Sequence, residues 1–134
     1  MILYHGTTLR AANSILKNGV KMHKSCGGYF GDGFYTSEDI ELIKTNYDHG
    51  AILQIDINSS YVNYLDPASF EKWKLISKET YKKRFYRLAI KNGFHAIHDN
   101  SFEGIVIYNK KIIRSIKLFE NGKQTIIARS KRLV

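Results

Sequence analysis

The sequence predicts an α+β fold built on a largely antiparallel β-sheet. Residues 51–57 alternate apolar and polar side chains as a half-buried strand does. Apolar residues near the start of the chain recur at the spacing of a helix, and three apolar runs follow one another in the last third without a helix between them. The length of 134 residues and the 43% hydrophobic content fit a single domain over residues 1–134.

The first elements are a short strand and an amphipathic helix. Residues 2–4 are predicted as a strand that leads into a turn at His5-Gly6-Thr7, and either Thr7 or Thr8 can cap the helix that follows. Gly19 stands where a helix C-cap is expected. The apolar face of this helix consists of Leu9, Ala12, Ile15 and Leu16.

A glycine-rich loop separates this helix from the second strand. Four of the seven residues 27–33 are glycine, so the segment 24–33 is predicted as a loop. Residues 34–36 form the next predicted strand. Ser37 is the predicted cap of a helix that runs to about Tyr47, with Glu38 and Asp39 in its first turn.

The rest of the chain alternates less regularly between strands and helices. After the strand at 51–57 we expect a short strand at 61–65, a helical stretch from Asp66-Pro67, and a basic helix over 79–92 that ends at Asn92-Gly93. The three apolar runs at 95–98, 104–108 and 112–119 are predicted strands. An Asn-Gly hairpin turn at 120–123 is expected to bring 124–128 back against the last of them.

The charge of the chain is concentrated in two segments. The formal net charge is +9, and residues 72–91 and 110–134 each hold eight basic residues against one acidic residue. These segments predict either contact with a polyanion, such as nucleic acid or an acidic protein, or a solvated basic surface without a partner. Charge alone does not choose between the two.

Four motifs occur in a fixed order along the chain. They are His5-Gly6-Thr7, the segment GYFGDGFY at 28–35, Asn46-Tyr47, and FEGIVIY at 102–108, in which Glu103 is a lone carboxylate before an apolar strand. Together they resemble the diphtheria-toxin-like ADP-ribosyltransferases with a His-Tyr-Glu triad, as in the catalytic domain of poly(ADP-ribose) polymerases. The resemblance implies a split antiparallel β-sheet core with flanking helices and NAD as the substrate.

The resemblance also implies a role for each motif residue. His5, Tyr35 and Glu103 are the expected catalytic residues. The residues expected to bind NAD are His5, Gly6, Thr7, Tyr35, Thr45 and Tyr47. Thr45 is included because the family commonly has Ser or Thr three residues before the second tyrosine, where this chain has Lys44.

The chemistry of NAD suits these residue types. A glycine lets the backbone approach the carboxamide closely, an imidazole can bond a ribose hydroxyl, and two phenol rings can stack on nicotinamide. Cleavage of the C–N glycosidic bond passes through an oxocarbenium-like state, which a carboxylate such as Glu103 stabilises.

Other activities of related enzymes fit the sequence less well. The arginine-modifying branch has Glu or Gln two residues before the catalytic glutamate and Arg in place of His, whereas this chain has Ser101 and His5. The RNA 2′-phosphotransferases hold a phosphate with several arginines, and no Arg occurs between Arg10 and Arg84. The loop lacks the Gly-Lys-Ser/Thr of a P-loop.

The resemblance therefore implies an NAD-dependent mono-ADP-ribosyltransferase that modifies a nucleic acid or a protein. A compact enzyme of this type suits a toxin or effector, with an antitoxin or inhibitor as a partner. Two alternatives remain open, a catalytically silent NAD- or RNA-binding module and an NAD glycohydrolase.

No metal or membrane partner is expected. His95 and His98 are three apart on a predicted strand and so face opposite ways, and Cys26 with His23 is too sparse for zinc. One cysteine, no signal-peptide pattern and no apolar run of about 20 residues predict a cytoplasmic protein.

Overall fold

The computed structural model describes residues 1–21, 33–46, 50–64, 70–75, 85–99 and 104–119, without the side chains of residues 45, 46 and 99. Seven strands form one curled sheet: β1 Ile2–Thr8, β2 Phe34–Ser37, β3 Gly50–Ile57, β4 Val62–Tyr64, β5 Ala96–Asp99, β6 Gly104–Ile107 and β7 Ile113–Leu118. The helices are α1 Leu9–Asn18, α2 Ile40–Asn46, α3 with residues 70–75 helical, and α4 Phe85–Lys91. Two single 3₁₀ turns lie at Ser59–Tyr61 and Lys110–Ile112.

The strand order across the sheet is β4-β5-β6-β2-β1-β3-β7. Among the strands that the structure describes, five of the six pairings are antiparallel, and β4 pairs with β5 in parallel. The predicted α+β class and largely antiparallel sheet are therefore confirmed. The predicted hairpin turn at 120–123 and the strand at 124–128 lie outside the described residues.

Helix α1 matches its sequence pattern closely. The Thr8 side chain accepts a hydrogen bond from the Ala11 amide at 3.1 Å, so Thr8 is the cap. Gly19 has φ of 84° and its amide donates to the Ile15 carbonyl, which confirms the predicted C-cap. Ala12 is fully buried, and Leu9, Ile15 and Leu16 pack against the same core.

The buried residues form two apolar clusters. The first cluster contains residues of β1, β2, β3, β5 and β6 together with Ala12 of α1. The second cluster, called the Trp73 cluster below, consists of Trp73, Phe85, Ala89, Phe94, Ile97, Val106 and Tyr108. Neighbouring residues on a strand face opposite sides of the sheet, so β5 and β6 contribute to both clusters.

The end of β1 and the cap of α2 differ from their predictions. Strand β1 runs to Thr8, rather than ending at Tyr4, because Gly50 and Ala51 of β3 pair with Thr8 and Thr7. The cap of α2 is Asp39 rather than Ser37, since Asp39 Oδ1 accepts from the amides of Glu41 and Leu42 at 2.9 and 3.2 Å.

Ser37 is instead the last residue of β2, and its hydroxyl accepts from the Asp39 amide at 3.0 Å. The prediction of Ser37 as the cap was wrong because the strand continues one residue further than its apolar pattern indicates. Among the residues that the structure describes, no helix has the length and apolar character needed to cross a bilayer.

Candidate functional site

The candidate site lies where β1 and β2 diverge. These strands share a single registered pair, Tyr4 with Ser37. Strand β1 pairs with β3 from Ile2 to Thr8, and β2 pairs with β6 over all four of its residues. Beyond Tyr4, no strand in the described part of the chain pairs with the β1 edge that faces β2. Backbone groups on such an edge can bond a ligand.

His5 occupies the first position past that single pair. Its Nδ1 lies 2.7 Å from the carbonyl oxygen of Tyr35, and because a carbonyl only accepts, Nδ1 carries the hydrogen. Burial lowers the pKa of His5, and the bond to Tyr35 offsets this only in part. The neutral ring then has an unprotonated Nε2, a hydrogen-bond acceptor.

The His5 ring is held by a neighbouring aromatic side chain. Its centroid lies 4.3 Å from that of Phe34, with the planes tilted by 35°. Phe34 belongs to the first apolar cluster and is almost fully buried. The imidazole is therefore fixed on one side by packing and on another by the Tyr35 carbonyl, which leaves it few alternative rotamers.

Gly6 and Thr7 follow His5 in extended conformation. Gly6 pairs with Ile52 and Thr7 with Ala51 in the β1–β3 ladder. The predicted turn at His5-Gly6-Thr7 is therefore wrong, and the three residues lie within the second half of a strand. A ladder holds their backbone more rigidly than a turn does.

The main chain and the side chain of Tyr35 make different contacts. Its carbonyl holds His5, and its backbone pairs with Val106 of β6. Its half-buried ring packs against the Trp73 cluster. The structure thus brings His5 and Tyr35 together through the Tyr35 main chain, while the His5 and Tyr35 rings pack against different clusters.

The three other predicted site residues are not described in full. Glu103 and Tyr47 lie outside the described residues, as does the Thr45 side chain. Their described neighbours are placed: Gly104 pairs with Ser37 on one side and with Asp99 on the other, and Asn46 is the last residue of α2. Of the glycine-rich loop, only Gly33 is described.

A buried polar pair behind Tyr35 was not predicted. The Trp73 indole Nε1 donates to the Tyr108 hydroxyl at 3.3 Å inside the Trp73 cluster. Burial raises the pKa of Tyr108 far above its ordinary value, partly offset by this hydrogen bond, so its hydroxyl stays protonated. The two residues are 35 positions apart, and no local sequence pattern joins them.

Gly33 also contacts this cluster. A Cβ at Gly33 would lie 2.5 Å from Val106 Cγ1 and 3.2 Å from ring atoms of Tyr108. No side chain fits at that distance without displacement of its neighbours. The last glycine of the loop is therefore required for close packing directly before Phe34 and Tyr35.

Two of the histidines considered for metal binding have other contacts, whereas His23 and Cys26 lie outside the described residues. His95 precedes β5 and bonds Asn109, whereas His98 lies in β5 with its ring 5.0 Å from that of Tyr64. Within the described ranges, no three His, Cys, Asp or Glu side chains come close enough together to hold a metal ion.

The comparisons with known proteins give no family. No protein-family model matches the chain, and no curated protein matches it significantly. Function is therefore inferred from the residues and from their geometry.

Proposed function

We propose that this protein is an NAD-dependent mono-ADP-ribosyltransferase with the split-sheet core of the diphtheria-toxin-like enzymes. The observation that carries the proposal is the hydrogen bond between His5 and the Tyr35 carbonyl at the point where β1 and β2 separate. It joins two of the three triad positions that the sequence motifs single out, although they are 30 residues apart.

His5 and Gly6 are suited to the two ends of the NAD molecule. The unprotonated Nε2 of neutral His5 can accept a hydrogen bond from a hydroxyl of the adenosine-side ribose. Gly6 and Thr7 lie on the β1 edge that β2 does not cover, where Gly6 offers the carboxamide a backbone without a side chain in the way.

The nicotinamide ring is assigned to the two tyrosines. Gly6 lies two residues after Tyr4, and Tyr35 lies two residues before Ser37, the partner of Tyr4. Because the strands are antiparallel, Gly6 and Tyr35 are equally far from that pair. Residues two apart on a strand point to the same side, so Gly6 and Tyr35 lie on the same side of the sheet as the Tyr4–Ser37 pair. Helix α2 then leads directly to Tyr47. In this proposal Tyr35 and Tyr47 stack on nicotinamide and the Thr45 hydroxyl bonds the carboxamide.

Glu103 is assigned to the transfer step. Glu103 directly precedes Gly104 in the chain, and Gly104 pairs with Ser37. Ser37 also pairs with Tyr4, the residue before His5. The C1′–N bond to nicotinamide breaks, its electron pair neutralises the pyridinium, and the carboxylate stabilises the positive charge on the ribose. An acceptor nucleophile then bonds C1′ and gives up one proton, which the carboxylate takes and passes to solvent.

The charge of the chain supports two classes of acceptor. The two basic segments at 72–91 and 110–134 favour a polyanion, so a nucleic acid is one acceptor class and an acidic protein is the other. An acidic inhibitor or antitoxin would use the same attraction. NAD hydrolysis, in which water is the acceptor, needs the same residues.

Labelling with NAD that carries a radioactive adenylate phosphate tests the proposal. The protein is incubated with a cell lysate, and samples are digested separately with protease, DNase and RNase. Label lost only to a nuclease or only to protease supports transfer and identifies the acceptor class. Free ADP-ribose without label on macromolecules would replace the proposal with an NAD glycohydrolase, and no release of nicotinamide would replace it with a silent binding module.

A further inference from the structure

A compact surface at the start of β4 combines an exposed aromatic ring with lysines. We call it the Tyr61 surface and define it by Tyr61, His95, Asn109, Lys110 and Lys111. Tyr61 is 44% exposed, and its ring stands edge-on to that of His95 at 5.1 Å. An exposed aromatic ring offers a face on which a flat group can stack.

Hydrogen bonds hold the parts of this surface together. The Asn58 amide donates to the Ile112 carbonyl at 3.1 Å, which joins the two 3₁₀ turns at 59–61 and 110–112. Tyr61 belongs to the first turn, and Lys110 and Lys111 belong to the second. The aromatic ring and the two exposed lysines are thus parts of one rigid local structure.

The same network fixes the hydrogen positions on His95. Asn109 Oδ1 accepts from the Lys111 amide at 3.0 Å, so the Asn109 Nδ2 donates to His95 Nδ1 at 2.9 Å. A neutral His95 therefore carries its hydrogen on Nε2. No described residue accepts that hydrogen, which makes Nε2 a donor beside the Tyr61 ring.

The described residues of the Tyr61 surface carry positive charge only. Lys110 and Lys111 are both exposed, and none of the five residues that define the surface is acidic. The surface therefore favours an anionic ligand.

We propose that the Tyr61 surface binds single-stranded nucleic acid. A base would stack on the exposed Tyr61 ring, the His95 Nε2–H and the hydroxyl of Ser59 would bond ribose or phosphate oxygens, and Lys110 and Lys111 would pair with phosphates. An acidic protein would match the charge equally well but would leave the Tyr61 ring without a flat partner. This binding does not depend on NAD or on the proposed transferase activity.

Fluorescence anisotropy with labelled 12-nucleotide oligouridylate and oligothymidylate tests the proposal on the full chain. Tyr61→Ala is expected to weaken binding by about ten-fold or more through loss of stacking, while Tyr61→Phe keeps most of the affinity. The double variant Lys110→Ala/Lys111→Ala is expected to reduce the salt slope, log K against log salt, by about 1.4, since each contact on a single strand contributes about 0.7.

The charge-matched control is Lys17→Ala/Lys21→Ala, which removes two exposed lysines from α1 and the segment after it. Equal losses in the two double variants would overturn the proposal, because they would show attraction by net charge alone. Absence of binding to both oligonucleotides would overturn it as well. Tighter binding to polyglutamate than to oligouridylate, with no effect of Tyr61→Ala, would replace nucleic acid with an acidic protein as the ligand.

Discussion

The Nδ1 atom of His5 lies 2.7 Å from the Tyr35 carbonyl oxygen, one residue beyond the only registered pair between β1 and β2. At this position a side-chain hydrogen bond connects β1 and β2 in place of backbone hydrogen bonds. The bond ties the two halves of the sheet together after their backbones have separated, and it orients the imidazole at the same time. Its geometry leads to the first prediction.

The stability of the folded chain is expected to fall at low pH through His5. Burial lowers the pKa of His5 below its ordinary value of 6.5, so the unfolded chain binds more protons than the folded chain below that pH. The contribution of neutral His5 is complete above pH 6.5 and is lost as the pH falls through the lowered pKa. His5→Asn keeps a donor for the Tyr35 carbonyl and does not titrate.

Urea unfolding of wild type and His5→Asn between pH 5 and pH 8 measures this effect. The free energy of unfolding of wild type minus that of His5→Asn should be constant above pH 6.5 and should decrease below it. Parallel pH profiles over the whole range would contradict the neutral, buried state of the ring.

Glu103→Gln is expected to retain NAD binding and to reduce transfer of ADP-ribose at least about 100-fold. The amide has the shape of the carboxylate but lacks the charge that stabilises the oxocarbenium-like state. Calorimetry with NAD and release of nicotinamide measure the two properties separately. The matched control is Glu120→Gln, at the predicted hairpin turn, which should leave both unchanged. Unaltered turnover in Glu103→Gln would reject the assignment.

Asp39→Ala is expected to destabilise the chain by about 1 kcal/mol and to raise KM for NAD. The carboxylate bonds two free amides at the start of α2, and loss of such a cap typically costs about that much. Because α2 contains Thr45 and leads to Tyr47, which are both proposed to bind NAD, its fraying would weaken NAD binding under that proposal. Asp39→Asn keeps an acceptor oxygen and should behave like wild type in thermal unfolding and in kinetics.

Tyr108→Phe is expected to cost about 1–3 kcal/mol of stability. It leaves the buried indole nitrogen of Trp73 without this acceptor in a cluster that offers little water. Trp73→Phe removes the donor instead. In a double-mutant cycle measured by chemical unfolding, the two changes together should cost less than the sum of the single ones. Strict additivity would show that the Trp73–Tyr108 bond contributes nothing.

Gly33→Ala is expected to destabilise the chain by about 1–3 kcal/mol, because the new methyl group would overlap Val106 Cγ1. Val106→Ala removes that carbon at a cost of its own. The double variant Gly33→Ala/Val106→Ala should recover part of the loss from Gly33→Ala, and thermal unfolding of the three variants measures the recovery. No recovery would mean that the contact with the Tyr108 ring, rather than the overlap with Val106, causes the penalty at Gly33.

Much of the local structure could be predicted from the residues themselves. The spacing of Leu9, Ala12 and Ile15 specifies a helix, and the alternation over 51–57 specifies a half-buried strand, because both patterns reflect which side chains face the core. The boundary errors at Tyr4 and Ser37 have one origin. Strand length depends on the partner strand, and the pairing of β1 with β3 extends it past its apolar residues.

The sequence alone determined the α+β class, the helix C-cap at Gly19 and the motif residues proposed to bind NAD, and it limited the N-cap of that helix to Thr7 or Thr8. Only the tertiary structure decided that β1 and β2 share one pair and that His5 bonds the Tyr35 carbonyl. It also decided that Trp73 bonds Tyr108 in the cluster against which the Tyr35 ring packs. The physical reason is how far apart along the sequence the interacting residues lie. Periodicity and caps arise from residues within about four positions of one another, whereas these contacts join residues 30 or more positions apart and form only when the sheet curls.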